Sequence, residues 1–465
     1  MEARSLAFIA EACAGEQLSG SAQTQVHRVC TDSRRVEPGD LFIALTGERF
    51  DGHKFLHEAA RKGAAGAVAE RNRVPAGWSD CAVIAVADTR KALGRLAAQY
   101  RRDFVLPTVV VGGSNGKTTT KELIAAVLRQ KLDTLWSEAS FNNDVGVPLT
   151  LLRLEQSHRA AVLEAGTNHP GELAPLLEMI QPRYGVLTCI GREHLAFFGD
   201  VTGVAREEGS LAESLPADGI LFLNGDDELA VRAAKRARAS AVRVGLAAGN
   251  HWRASGIRFE RRGMRFQAEG PRADLGGEYR INLLGRHQVV NALFALAIGA
   301  ELGLTRAEAT QGLAECRPPK MRLELWEHNG VVVLDDTYNA NADSMAVALQ
   351  ALQELPCKGR RVAVLGEMAE LGAHSQEAHE EAGRRVAELG IGQLFAVGGM
   401  APVMARAARD AGMARVFEFA DVESAAIAVK RFVRQGDAVL LKASRVARLE
   451  RIGELLRTRE PGREN

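Results

Sequence analysis

The sequence predicts an α/β protein built from three units, and three observations predict it. Short apolar runs of strand length alternate with helix-compatible segments along most of the 465 residues. One such run, Val109-Val110-Val111, ends in Gly112-Gly113-Ser114-Asn115-Gly116-Lys117-Thr118-Thr119, a glycine-rich turn that opens a helix. Two proline-marked connectors, over 101–107 and 316–320, divide the chain. The expected architecture is a small α/β N-terminal domain over 1–105. A central P-loop ATPase-type parallel sheet with an antiparallel insertion follows over 106–315, then a C-terminal doubly wound Rossmann-like domain over 316–465.

In the first unit, apolar runs at 41–45, 67–69 and 82–86 read as strands, and 55–62 and 89–101 as helices. In the second, a helix is expected over 121–131, with buried strands at 160–163, 185–189 and 220–223. Between 252 and 284 the pattern turns strand-like with tight turns, the expected antiparallel insertion, and 287–302 reads as an amphipathic helix. The third unit repeats strand and helix regularly, with strands at 331–334, 362–365, 394–397, 415–417 and 438–441. Ligands of such sheets gather at the carboxyl ends of strands. Asp335-Asp336, Gly366-Glu367 and Lys442 fall at ends of that kind.

Composition narrows the function class. Lys and Arg number 59 against 58 Asp and Glu, a net charge of +1, which argues against a broadly basic nucleic-acid binder. Aromatics make up only 5%, too few to favour a base-stacking surface. The six cysteines are scattered without a Cys-x-x-Cys pair, as expected for reduced thiols in a cytoplasmic protein. Acidic residues at 2, 11 and 16 interrupt the first twenty residues, so no secretory signal is expected there, and no membrane span anywhere.

The glycine-rich turn carries the first chemical reading. Glycines let the backbone approach an anion, amide N–H groups face it, and the helix N-terminus adds partial positive charge. Lys117 is placed to neutralise β- and γ-phosphate charge, and the Thr118 hydroxyl to reach Mg²⁺. The turn is shorter than the full eight-residue P-loop pattern, because Val111 stands where its first glycine belongs. ATP is the expected energy source. Glu164 ends an apolar strand and suits Mg²⁺, a hard ion that prefers oxygen, although a lone glutamate is more often a cap or a surface acid. His194 also sits at a strand end; imidazole is not a typical Mg²⁺ partner, and the residue chemistry leaves its role open. Asn142-Asn143-Asp144 suits a sugar or phosphate, and equally an Asx turn.

A series of motifs then carries a resemblance. They are Gly-Ser-Asn-Gly-Lys-Thr-Thr-Thr at 113–120, Asn-Asn-Asp-Val-Gly-Val-Pro at 142–148, Glu-Ala-Gly-Thr-Asn at 164–168 and Glu-His-Leu at 193–195. Beyond them come Gly-Arg-His-Gln-Val-Val-Asn at 285–291, Asp-Asp-Thr-Tyr-Asn-Ala-Asn at 335–341, Leu-Gly-Glu-Met-Ala-Glu-Leu-Gly at 365–372 and Lys-Ala-Ser-Arg at 442–445. In this order the chain resembles the Mur ligases of peptidoglycan synthesis. Thr-Asp-Ser-Arg at 31–34 and the run 44–53, with the stretches at 335–341 and 365–372, are similar to the MurF type, which joins D-alanyl-D-alanine to UDP-N-acetylmuramoyl-tripeptide.

The resemblance implies ATP and Mg²⁺ as cofactors, with Gly113 to Thr119, Asn291, Arg322 and Asp336 around the nucleotide. It implies Lys117, Glu164, His194 and Glu208 as catalytic groups, and Thr118, Glu164 and His194 around the metal. Ser33, Arg34, Thr46, Gly47 and Asn143 would face the UDP-sugar, although Ser33 and Thr46 also suit ordinary turns and caps. The family usually has a lysine, carbamylated in the active protein, where this chain has Glu208. The expectation is that Glu208 replaces the carbamate; the alternative is a solvated helix acid. Met321 and Ala443 stand where glycine is usual, Ala342 where proline is, and Glu367 where aspartate is common. These departures put loop conformations and Ser444 as a substrate contact in question.

Ligases that add diaminopimelate carry an Asp-Asn-Pro-Arg motif that this sequence lacks. Folate-type ligases are not expected to carry 335–341 in this form. A P-loop ATPase or nucleotide-gated binding protein is the alternative outside the ligases; the polar groups at 164, 194 and 336 argue against it. The resemblance further implies small-molecule substrates, a cytoplasmic monomer, and three domains open when free and compact with both substrates.

Overall fold

The computed structural model describes residues 1–47, 50–260 and 263–458. Glu48 and Arg49, inside the matched run 44–53, and residues 459–465 lie outside them. The described chain forms three main sheets, each within one of the three units.

The N-terminal sheet has five strands. Val29–Cys30, Leu41–Ile43, Gly66–Glu70 and Ala82–Val86 run parallel, and Glu16–Ser19 pairs antiparallel at one edge. Helix Thr89–Arg101 covers it with the bounds its pattern predicted, capped by the Asp88 carboxylate, which accepts from Lys91 N–H at 3.0 Å. A helix over Leu6–Cys13, capped by Ser5, was not expected.

The central sheet has nine strands. Its parallel part runs Thr134–Trp136, Ala160–Glu164, Thr108–Gly112, Tyr184–Leu187, Ile220–Asn224, Ser240–Gly245. Thr108–Gly112 is buried along its whole length between two parallel neighbours, which explains why it reads as a continuous apolar run rather than an alternating one. The expected antiparallel insertion extends this sheet. Trp252–Glu260 pairs parallel with Ser240–Gly245, and Gly263–Glu269 and Gly277–Ile281 add antiparallel strands to the same sheet.

Three expectations are corrected here. The helix after the glycine-rich turn spans Lys117–Leu128, four residues earlier than its pattern suggested, because Gly116 at φ 85° delivers the chain directly into it. Helix Arg286–Glu301 is not amphipathic: Gln288 through Gly299 are all buried, because it packs between the sheet and helix Lys117–Leu128. The Tyr184–Leu187 strand stops before Thr188, whose N–H donates to Gly112 O at 3.1 Å. Cys189 O then accepts from Ser114 N–H at 2.8 Å, so these residues brace the turn instead of extending the strand.

The C-terminal sheet has six strands in the order Glu324–His328, Val331–Asp336, Ala438–Lys442, Arg361–Leu365, Gln393–Val397, Val416–Phe419. Only the first is antiparallel, so the unit is doubly wound as expected. Among the described residues no helix is long and apolar enough to cross a membrane.

Arg101 ties the first unit to the second. It is buried, and its guanidinium donates to Ile180 O at 3.0 Å, Phe104 O at 2.6 Å and Thr108 Oγ1 at 2.8 Å. It satisfies carbonyls that water does not reach. Arg101→Ala is expected to lower stability by about 2–4 kcal/mol, read by denaturant unfolding, because those acceptors stay buried without a donor.

Candidate active site

The site is built on strand ends. Gly113, at φ 111°, turns the chain out of the Thr108–Gly112 strand, and a β-carbon there would come within 2.4 Å of Thr188 Oγ1. A β-carbon on Gly116 would stand 3.1 Å from Asn291 Oδ1, so the turn lies against the buried helix 286–301. Thr188 Oγ1 donates to Asn115 O at 2.6 Å and Ser114 Oγ accepts from Gly191 N–H at 2.9 Å. The turn is therefore held from the neighbouring strand end before any ligand arrives.

Lys117 is surrounded by acids. Its Nζ donates to Gly113 O at 2.5 Å and lies 3.6 Å from Glu193 Oε2. Burial opposes its charge, but Glu193, Glu208 and Glu164 together hold its pKa above the ordinary lysine value. Glu164, 1% exposed, accepts from Asn142 Nδ2 at 2.8 Å through Oε1, while its Oε2 is buried without a partner. Glu193 is pushed up to about 8, chiefly by burial, against the pull of Lys117.

Glu208 is not a solvated helix acid. It is 1% exposed, accepts from Gly113 N–H at 2.7 Å through Oε2, and leaves Oε1 buried without a partner. Burial raises its pKa, with Lys117 and the Gly113 amide pulling the other way. Its neighbour Glu207 points elsewhere, accepting from Gly171 and Leu173 N–H at 2.9 Å each and so capping helix Leu173–Ile180.

His194 has φ 50° and its Nδ1 pairs with Glu370 Oε2 at 2.5 Å, a residue of the C-terminal unit. Burial, together with Lys117 and His169, outweighs Glu370 and keeps its pKa below the ordinary histidine value. An Nδ1–H donated to Glu370 leaves Nε2 with a free lone pair, the tautomer a metal ligand needs.

A cavity of about 1270 Å³ gathers these groups. Ser114 through Thr119, Asn143, Glu164, His194 and Asn291 line it from the central unit, and Arg322 and Asp336 from the C-terminal unit. Thr118 Oγ1 lies 3.4 Å from Ser140 Oγ, which also accepts from Arg322 Nη2 at 3.2 Å. Asp336 Oδ2 accepts from the buried Lys442 ammonium at 2.5 Å, and the Arg322 guanidinium lies over the Tyr338 ring at 4.0 Å. Gly113 and Glu208 lie behind the turn and do not line the cavity.

The other expected substrate residues lie apart from it, near the carboxyl end of the N-terminal sheet. Ser33 is buried, its Oγ donating to Glu58 at 3.5 Å; Arg34 pairs with Asp32 at 2.8 Å; Thr46 Oγ1 is 3.5 Å from His53 Nδ1; Gly47 N–H donates to Phe50 O at 2.8 Å. Asn143 lines the cavity, yet its Oδ1 accepts from Val145 and Gly146 N–H, so it also makes the Asx turn.

Several groups had no role assigned from the sequence. Glu193 stood in the Glu-His-Leu motif without one. Buried Lys121 donates to Ser137 O at 2.6 Å and Ala139 O at 2.8 Å, fixing the segment that carries Ser140 and Asn142. Asn341 Nδ2 donates to Asn115 Oδ1 at 3.0 Å across the two units. Lysine inside a helix pattern carries no sequence signal for such burial, whereas Asn341 stood in a recognised stretch.

Three family descriptions match the chain: the Mur ligase family, catalytic domain over 25–101, the Mur ligase middle domain over 111–299, and the Mur ligase, glutamate ligase domain over 321–445. The chain belongs to the Mur ligase family. Among Mur ligases, it is 34% identical to UDP-N-acetylmuramoyl-tripeptide--D-alanyl-D-alanine ligase of Bacillus subtilis, covering 92% of this chain and 93% of that one. A crystal structure of MurF from Acinetobacter baumannii superposes with TM-score 0.89 at 31% identity, covering 98% and 99% of the two chains. MurF ligase from Thermotoga maritima in complex with ADP superposes at 0.81 and 28% identity, covering 93% and 97%.

The departures from the usual Mur ligase pattern now have surroundings. Met321, at a position usually glycine, takes φ 58° and accepts from Tyr338 N–H at 3.1 Å through its carbonyl. Ala342 is the first residue of helix Ala342–Glu354, a position proline also suits. Glu367 accepts from Met400 N–H at 3.1 Å. Ser444 is buried, accepting from Ala369 N–H at 2.8 Å and donating to Ala340 O at 3.1 Å, so its hydroxyl ties two loops together.

Glu208→Gln keeps an oxygen acceptor for Gly113 N–H while removing a buried charge. Its thermal midpoint is expected to equal or exceed that of the parent chain, measured by thermal denaturation at pH 8.

Proposed function

We propose that this Mur ligase is an ATP-dependent ligase that joins D-alanyl-D-alanine to UDP-N-acetylmuramoyl-tripeptide, forming the pentapeptide precursor of peptidoglycan. The family, the names of its relatives over more than nine-tenths of their length, and the ADP-bound neighbour support this reading. The observation that carries it is convergence. One cavity holds a phosphate-type turn, buried acids and residues of a second doubly wound unit.

The chemistry follows from that arrangement. A terminal carboxylate oxygen of the tripeptide attacks the γ-phosphorus of ATP, the bond to the β-phosphate oxygen breaks, and ADP leaves. The amine of D-alanyl-D-alanine attacks the acyl carbon of the mixed anhydride, a proton leaves the nitrogen, and phosphate departs. Lys117 and the amides of 115–119 stabilise charge on the transferring group. Asn291, Arg322 and Asp336 hold the nucleotide, and Ser33, Arg34, Thr46, Gly47 and Asn143 face the UDP-sugar. The boundaries near residues 105 and 315, a cytoplasmic location and a monomeric state belong to the same reading.

Mg²⁺ fits the donor set. Glu164 presents a buried carboxylate oxygen without a partner, Thr118 a hydroxyl, and His194 a free Nε2. Bound there, it would neutralise phosphate charge. The partnerless Oε1 of Glu208 supports its reading as a built-in replacement for a carbamylated lysine. This acid needs no bicarbonate.

Three measurements test the reading. With ATP, UDP-MurNAc-tripeptide and hydroxylamine, the chain is expected to form a hydroxamate; nucleotide hydrolysis without one would indicate a plain ATPase. Lys117→Ala is expected to lower turnover by at least about a thousandfold. Glu208→Gln is expected to lose turnover most at limiting Mg²⁺ and to gain nothing from bicarbonate; full turnover at limiting Mg²⁺ removes Glu208 from the machinery.

A further inference from the structure

The segment that carries Glu193 and His194 is gripped by the C-terminal unit at three points. At its start, Arg192 makes two forked pairs. Its backbone N–H donates to Asp343 Oδ2 at 2.7 Å and its Nε to Asp343 Oδ1 at 2.8 Å. Its Nη1 and Nη2 donate to Glu381 Oε2 and Oε1 at 2.6 and 3.1 Å. Next comes His194 on Glu370, followed by Ala196 N–H donating to Glu370 O at 2.9 Å. At the far end His374 Nε2 meets Gly199 O at 3.0 Å.

Among these contacts Arg192 has the most specific geometry. One planar guanidinium satisfies a carboxylate from helix Ala342–Glu354 and another from helix Ser375–Glu388, which no lysine can reproduce. The fit is tight: a β-carbon on Gly191 would come within 2.4 Å of Asp343 Oδ2. Helix Ala342–Glu354 also begins at Asn341, whose amide reaches Asn115 in the phosphate-type turn. The helix therefore touches both sides of the site, and Arg192 is its link to the Glu193–His194 side.

We propose that Arg192 is a positioning residue for the ligase reaction: by clamping Asp343 and Glu381 it aligns Glu193 and His194 with Lys117 only while the C-terminal unit is docked. Phosphoryl transfer is thereby coupled to docking, which limits wasteful ATP hydrolysis in undocked molecules. The inference rests on the ligase reading. An inactive parent chain would remove that reading, whereas an active parent with an unaffected Arg192 variant removes only this inference.

The test uses the full chain with ATP, UDP-MurNAc-tripeptide and D-alanyl-D-alanine, comparing Arg192→Ala, Arg192→Lys, Asp343→Asn and, as a surface control on the same helix as Glu381, Glu388→Ala. Arg192→Ala is expected to lower kcat and the rate of hydroxamate formation by roughly tenfold to a hundredfold, the cost of a small misplacement of reacting groups, while KM for ATP stays within about threefold. Arg192→Lys and Asp343→Asn should fall between Arg192→Ala and the parent, Glu388→Ala should match the parent, and X-ray scattering with nucleotide should show less compaction for Arg192→Ala. The proposal is overturned if Arg192→Ala keeps kcat within twofold of the parent, or if its loss of activity merely tracks loss of folded protein in thermal denaturation.

Discussion

The site depends on a surplus of acid groups around one ammonium, held out of water. Lys117 supplies one positive charge to a neighbourhood that contains three buried carboxyl groups, Glu164, Glu193 and Glu208. Two of the carboxylate oxygens have no hydrogen-bond donor at all. A protein that needed only stability would replace such groups with apolar ones of the same shape, because a buried acid short of donors costs more than it returns. Retaining them makes sense if positive charge arrives during function. The same surplus raises the lysine's pKa, so it stays an ammonium where burial alone would neutralise it.

The fold supplies this surplus through strand order. The Thr108–Gly112 strand lies between Ala160–Glu164 and Tyr184–Leu187, and all three run parallel. Their carboxyl ends therefore place Lys117, Glu164 and the 188–194 segment side by side although the sequence separates them. Helix Val201–Glu208 brings its last residue under Gly113 from behind. The C-terminal unit then completes the cavity from outside with Arg322, Asp336 and Lys442, and its helices and the 370–374 loop grip the same 191–199 segment that carries two of the charged groups.

Most of the strands were legible because a buried parallel strand is a short apolar run with little else it can be. Ala82–Val86 and Thr89–Arg101 emerged with the expected bounds, since a cap and a clean period mark them. The misreading of 287–302 as amphipathic has a simple cause: two of its polar residues, Gln288 and Asn291, are buried and bonded to each other, and periodicity counts them as exposed. The site was legible where chemistry sits in a motif, as at 113–119, 164 and 194. It was not legible where the contact is made between distant segments, as with Arg192 to Glu381 or Glu208 to Gly113. Nothing local distinguishes Glu208, which binds the turn, from Glu207, which caps a helix.

The claim that these acids await a cation is tested most directly by proton release. Burial holds Glu193 at about 8 and raises Glu208, so near pH 7 protons reside on the cluster. A bound Mg²⁺–nucleotide that meets Glu193, which lines the cavity, stabilises its ionised form, lowers its pKa and expels its proton. Titration calorimetry of Mg²⁺–ATP analogue binding at pH 7, in buffers of different ionisation enthalpy, should therefore show net release on the order of one proton, diminished in Glu193→Gln. Proton uptake, or binding with no exchange in either chain, would contradict the account.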